Sequence, residues 1–145
     1  MKQMPDPFLE VLEAYRAAVL AKDVEAFLAL YDDEVHVFDL WGAWSLQGIE
    51  AWRRMAVEWF ASVGDDRVIV EIDQAGSTCL GDLAIGHAFL TYTAISADGT
   101  ELRSLDNRIT AALRKSEGVW RIFHEHTSVP IEHASAKAML RRQIQ

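Results

Sequence analysis

Cysteine is nearly absent from this chain. Cys79 stands alone among 145 residues, so no disulfide can form within it, which fits a reducing compartment. Positive charge is also short: 14 Lys and Arg against 22 Asp and Glu give a formal charge of −8. Nucleic acid and anionic membrane surfaces both demand a basic face, so neither is expected as a partner. No apolar run approaches the length of a membrane span, and the opening MKQMPDPFLE has no apolar signal core. A soluble, cytoplasmic protein is expected. Glycine-rich phosphate loops, internal repeats, low-complexity linkers and a Ser-His-Asp order are missing too. What remains is ordinary globular composition, half hydrophobic and a quarter charged, at a length that suits one domain. The expected division is a core over about 6–130 and a tail over 131–145.

The pattern along the chain predicts helix, helix, strand, helix and then a meander. Asp6 is placed to cap a first helix with Pro7 at its first position. Phe8, Leu12, Tyr15 and Val19 recur on one face of that helix, and Tyr15 reads as a core aromatic whose hydroxyl finds a partner. Asp23 caps a second helix expected over Val24 to Tyr31, ended by an Asp32-Asp33-Glu34 turn. A short strand over Val35 to Phe38 puts Val35, Val37 and Asp39 on one face. Asp39 then reads either as a carboxylate held among apolar groups, with a raised pKa, or as a cap for the following loop. Gly48 and Gly64 bracket a third helix over Ile49 to Val63, whose large apolar residues, Trp52 and Trp59 among them, read as core. Strands follow over Arg67 to Asp73, Leu83 to Ala97 and Glu101 to Lys115, with Asp98-Gly99 as a hairpin turn. The tail from His133 is expected to form a short helix or fray. The sum is an α+β domain, one curved antiparallel sheet wrapped on three helices around a conical cavity.

The closing stretch EGVWRIFHEHTSVP carries the densest chemistry. A regular strand there places Trp120, Ile122, His124, His126 and Ser128 on one face and Arg121, Phe123, Glu125 and Thr127 on the other. The His-x-His-x-Ser face is expected to line the cavity. His124 and His126 would also make half of a metal site if Asp39, His36 or His87 supplied a third ligand, although hydrogen-bonded pocket or interface histidines are the plainer reading. No metal and no cofactor is expected. Arg108 and Thr110 are expected on the pocket face of the preceding strand beside Asp106. A buried Arg108 needs an anionic partner: Asp39, Asp106 or a ligand carboxylate. Asp106 itself would pair with Arg108 or His126. The expected cavity wall therefore comprises Arg108, Thr110, His124, His126, Trp120, Trp41 and Trp59.

The element order and the segment NRITAALRKSEGVWRIFHEHTSVP resemble the SnoaL-like and ketosteroid-isomerase-like branch of the nuclear transport factor 2 (NTF2-like) superfamily. The matching features are Arg108 and Thr110, the Lys115 to Trp120 turn and the His124 to Pro130 strand. The same ending is similar to the association domain of calmodulin-dependent kinase II, an oligomerisation module. The stretch from Tyr15 to Gly42 resembles true ketosteroid isomerases, and that likeness implies Asp39 as general base and Tyr15 as donor to an enolate oxygen. Those enzymes are a standard example of a carboxylic acid kept neutral beside a tyrosine. Their second oxyanion acid falls at Thr110 or a neighbour here, and a threonine is a weaker donor. Three functions follow: cofactor-independent proton transfer of isomerase, cyclase or dehydratase type, non-catalytic binding of a small apolar or carboxylic molecule, or association. A homodimer is implied under all three.

Overall fold

The computed structural model describes residues 6–143. Helix α1 (Pro7–Ala21) opens as its sequence dictates: the Asp6 carboxylate accepts from the Leu9 amide at 3.1 Å, and Pro7 occupies the first turn. Helix α2 (Val24–Leu28) is shorter than its pattern suggests. Tyr31, expected at its end, instead starts strand β1 (Tyr31–Phe38), and the acidic Asp32-Asp33-Glu34 run is part of that strand. After a two-residue strand β2 (Leu46–Gln47) comes α3 (Ile49–Val63). Four long strands complete the chain: β3 (Arg67–Leu80), β4 (Leu83–Ile95), β5 (Glu101–Ser116) and β6 (Val119–Ser128).

The six strands form one curved, unclosed sheet in the order β2-β1-β6-β5-β4-β3. Every neighbouring pair is antiparallel except β1 and β6, which run parallel. The three helices cover the concave face, with α1 lying across β3 and β4. Burial alternates along β4 so that Ala84, Ala88 and Leu90 face the helices. The same parity in β5 turns Ile109, Ala111 and Leu113 inward. Small residues under α1 allow a close approach: a Cβ built on Gly86 would lie 2.2 Å from the Phe8 ring. Below the cavity, the Phe27 ring centroid is 5.2 to 6.2 Å from those of Tyr15, Tyr31, Trp52, Trp59 and Phe60, which makes a continuous aromatic floor.

The decisive departure from regular alternation is a bulge on β6. Leu113 pairs with Ile122 but Ala112 pairs with His124, so Phe123 is an extra residue opposite the same step of β5. Inward parity therefore jumps from Ile122 to Glu125 and Thr127, both buried. His124 and His126 are turned to the outer face. The tail is neither helical nor frayed over the described residues. Ile131 bridges Ala138, and the Met139 amide donates to the Pro130 carbonyl at 2.9 Å.

Candidate active site

Between the concave sheet face and the helices lies a cavity of about 640 Å³, within the range that encloses small-molecule ligands. Its walls are mostly apolar, with Trp52, Met55, Trp59, Val68 and Leu105 among them, and its exposed lining residues Trp41, Glu58, Arg103 and Leu140 mark the mouth. Six polar side chains project into it: Tyr15 from α1, Asp39 from just after β1, Tyr92 from β4, Asn107 from β5, and Glu125 and Thr127 from β6.

Asp39 follows Val35 and Val37 on the inward face of β1, as its spacing predicts. Its Oδ1 accepts from the Thr127 hydroxyl at 3.1 Å, and Thr127 Oγ1 accepts from the Leu40 amide at 2.9 Å. Partial burial raises its pKa, offset in part by the Thr127 hydroxyl and the Trp41 and Leu40 amides. Tyr15 and Tyr92 are joined hydroxyl to hydroxyl at 2.8 Å. Burial pushes both well above the ordinary phenol range, so both keep their protons. One of the two protons serves the hydrogen bond between them. The Asn107 side chain lies beside the Tyr92 hydroxyl, and its buried Oδ1 has no donor, so the second proton is available to Asn107 or to a ligand that displaces it.

Glu125 is the most buried carboxyl in the site, 3% exposed. Tyr31 donates to its Oε1 at 2.7 Å. Burial drives its pKa up to about 7, with the Tyr31 hydrogen bond opposing and the Asp39 charge reinforcing the rise. The Glu125 carboxyl in turn raises the Tyr31 phenol beyond what burial does alone. The Trp52 indole N–H, close to Tyr31, lacks hydrogen-bond geometry to any described group. Two carboxyls with different surroundings thus share one cavity: Asp39 is hydrogen-bonded and partly solvated, while Glu125 is enclosed and holds its proton to higher pH than an ordinary carboxyl.

The cavity brings together Tyr15, Asp39, Trp41 and Trp59 of the residues expected from sequence. It does not include Arg108, Thr110, His124, His126 or Trp120. Arg108 and Thr110 alternate with Ile109 and Ala111, and since the apolar pair faces inward both lie exposed on the outer face. Arg108 Nε donates to Ser128 Oγ at 2.8 Å there, with no carboxylate partner among the described residues. The Phe123 bulge moves the two histidines to that same face, where His124 Nδ1 lies 2.8 Å from the His36 carbonyl. Trp120 packs against the core and stays outside the cavity lining. Asp106 pairs with neither Arg108 nor His126 but with Arg141, 3.4 Å away. Among the described residues no three His, Cys, Asp or Glu side chains converge as metal ligands. Glu125, Tyr92, Tyr31 and Thr127 join the site without being expected there from sequence. Tyr92 carries a readable signal, since it continues the Ala84, Ala88, Leu90 face of β4. Glu125 is hidden by the bulge.

The family model for the SnoaL-like domain matches residues 9–132. The chain belongs to the SnoaL-like domain family. No curated protein matches it by sequence. Among solved structures, this SnoaL-like domain is similar to an NTF2-like protein of unknown function from Pseudomonas putida, at 24% identity over 94% of each chain and a TM-score of 0.82. It also resembles an NTF2-like protein with a cystatin-like fold from Novosphingobium aromaticivorans, at 17% identity over 90% of this chain and 84% of the other, with a TM-score of 0.74. Aln2 from a Streptomyces species aligns at 17% identity over 87% of this chain and 93% of its own, with a TM-score of 0.73. These likenesses establish the NTF2-like cone as the fold of the SnoaL-like domain.

Proposed function

We propose that this SnoaL-like domain catalyses cofactor-independent proton transfer on a small neutral molecule bearing a carbonyl, an isomerase-type reaction. The observation that carries the reading is the opening of Asp39, Glu125 and the Tyr15–Tyr92 pair onto one largely apolar cavity. Asp39, the more solvated carboxyl, is the base that removes a proton from the carbon next to the carbonyl. The negative charge that develops on the carbonyl oxygen is met by the second hydroxyl proton of the tyrosine pair. Protonated Glu125, which lines the same cavity, is the second donor to that oxygen in this reading. Asp39 then returns its proton to the original or a neighbouring carbon, so atoms and charge balance without a redox partner. A carboxylate ligand fits poorly. Two acids line the interior, and Arg103, the one cationic side chain among the described lining residues, lies exposed at the mouth. The expected ligand is therefore apolar and neutral rather than carboxylic.

The test works with model compounds, whatever the natural substrate. Ring ketones such as 2-tetralone are incubated with protein in D2O, and deuterium uptake beside the carbonyl is followed by proton NMR. Asp39→Asn should lower the catalysed rate about a hundredfold or more, and Tyr15→Phe about tenfold to a hundredfold, with circular dichroism unchanged. Wild-type rates equal to buffer across a panel of ring sizes would sink the catalytic reading and leave non-catalytic binding.

A second reading concerns assembly and is compatible with the first. The outer sheet face carries an apolar recess of about 240 Å³ walled by Leu80, Leu83, Ile85, Ala112 and Phe123. Leu80 is 82% exposed in the single chain. Such a surface suits pairing of two copies through the sheet.

A further inference from the structure

Part of the cavity mouth belongs to neither sheet nor helix: Trp41 comes from the loop after β1 and Leu140 from the returning tail. Strand β6 ends at Ser128, paired with Arg108, so the part of β5 before Arg108 has no strand beside it on that edge. The chain returns to fill the gap. After the Ile131–Ala138 bridge, the Leu140 carbonyl accepts from the Asp106 amide at 2.8 Å, and Leu140 lines the cavity mouth. Asp106 holds this return through Oδ2 and is itself anchored to β4 through Oδ1. Oδ1 accepts from the Thr91 hydroxyl at 2.7 Å, and Oδ2 accepts from the Arg142 amide at 2.6 Å, with Arg141 Nε 3.4 Å away. Arg142 extends the clamp across the outer face. Its guanidinium lies 4.2 Å from the Phe89 ring centroid and pairs with Asp73 at 2.5 Å.

We propose that the segment Pro130 to Arg142 is a strap that sets the size of ligand the cavity admits, with Leu140 as the selecting side chain and Asp106 as the latch that positions it. The proposal rests on the reading of the cavity as a ligand site, but not on the proton-transfer chemistry within it. Asp106 is a costly residue to bury, and no group of the cavity uses it. Burial alone would raise its pKa. The Arg142 amide, the Thr91 hydroxyl and the two arginine charges outweigh that effect and hold it below the ordinary range, which is the signature of a carboxylate satisfied by its partners. Apart from the Thr91 hydroxyl, these partners all come from the short run Leu140 to Arg142. The carboxylate is thus committed to holding the strap.

Two measurements test this. Limited trypsin digestion reads the latch through cleavage after Arg141 and Arg142, resolved by mass spectrometry. Asp106→Ala should speed that cleavage about tenfold or more while the core stays resistant. Quenching of tryptophan fluorescence, reported by Trp52 and Trp59 in the cavity wall, reads the size limit with 2-naphthol (two rings) and 1-hydroxypyrene (four rings). Leu140→Ala should improve binding of the larger compound about tenfold relative to the smaller. A chain ending at Met139, which leaves Asp106 in place, should do the same; if Asp106→Ala does not fold, Asp106→Asn, which keeps the shape without the charge, replaces it in the trypsin measurement. Wild-type cleavage rates in Asp106→Ala would overturn the latch. An unchanged ratio of the two affinities in both Leu140→Ala and the shortened chain would overturn the size limit. If neither compound binds any variant, the ligand-site reading falls and takes the size limit with it, while the trypsin result still decides the latch.

Discussion

At the scale of single residues, Glu125 concentrates the tension in the molecule. A carboxyl that folding drives from 4.5 to about 7 is bound more tightly to its proton in the folded than in the unfolded chain. Its contribution to stability is therefore complete below the unfolded pKa and is lost as pH rises through the folded one. The window lies between 4.5 and about 7, and the full loss is about 3 kcal/mol at about 1.4 kcal/mol for each pH unit. Asp39, also raised, acts with the same sign. Glu125→Gln keeps the shape and the Tyr31 hydrogen bond without the charge. Urea denaturation at pH 5 and pH 8 should find the variant close to wild type at the lower pH. At the higher pH it should be more stable by as much as about 3 kcal/mol. Equal stabilities at both pH values would mean that Glu125 is solvated or already paired when ionised. A stabilised variant with lost deuterium exchange would show stability being given up for chemistry.

At the scale of elements, the helices and strands are largely legible in the sequence because local chemistry and tertiary packing agree. The Asp6-Pro7 start of α1, the Gly48 and Gly64 limits of α3 and the Asp98-Gly99 hairpin all appear where composition puts them. Asp39 falls where its spacing predicts because Val35 and Val37 continue without interruption to it. Simple alternation misassigns the β6 face because a bulge is a pairing property. Nothing in EGVWRIFHEHTSVP distinguishes Phe123 as an extra residue until β5 is laid beside it. Arg108 and Thr110 are a different case: the alternating Ile109, Ala111 and Leu113 are enough to assign them outward. Tyr31 leaves its expected helix because a buried position beside Glu125 outweighs weak helical preference. Close packing of α1 on β4 gives a prediction at this scale. A methyl group at position 86 would sit 2.2 Å from Phe8 Cγ, with a helix behind that ring and little room to yield. Gly86→Ala should therefore lower stability by about 1–3 kcal/mol, the usual range for overpacking. The check is a lower urea midpoint with an unchanged slope.

At the scale of the whole molecule, the sheet has two unlike faces. The concave face is committed to the helices and the cavity. The convex face carries Arg108, His124, His126 and an apolar recess that none of the described residues covers. Leu83 and Ile85 are each 53% exposed beside Leu80, and neighbouring Phe123 is covered on one side by the Arg114 guanidinium, 4.6 Å from its ring centroid. Burying such residues contributes roughly 25 cal/mol for each Å² of apolar surface removed from water. A stable pair of copies needs roughly 800 Å² from each, an area within reach of a six-stranded sheet face. Sedimentation velocity on the wild-type chain should show a dimer in the micromolar range. Ile85→Glu places a charge in the recess without touching the cavity. It should shift the protein to monomer by at least tenfold in dissociation constant, while 2-naphthol binding in the cavity stays within about twofold. A wild-type monomer at every concentration would remove the pairing reading and leave the cavity reading intact. Dimerisation that survives Ile85→Glu would move the interface elsewhere. Loss of 2-naphthol binding together with the dimer would instead mean that the two faces are coupled, and that the cavity depends on assembly for its shape.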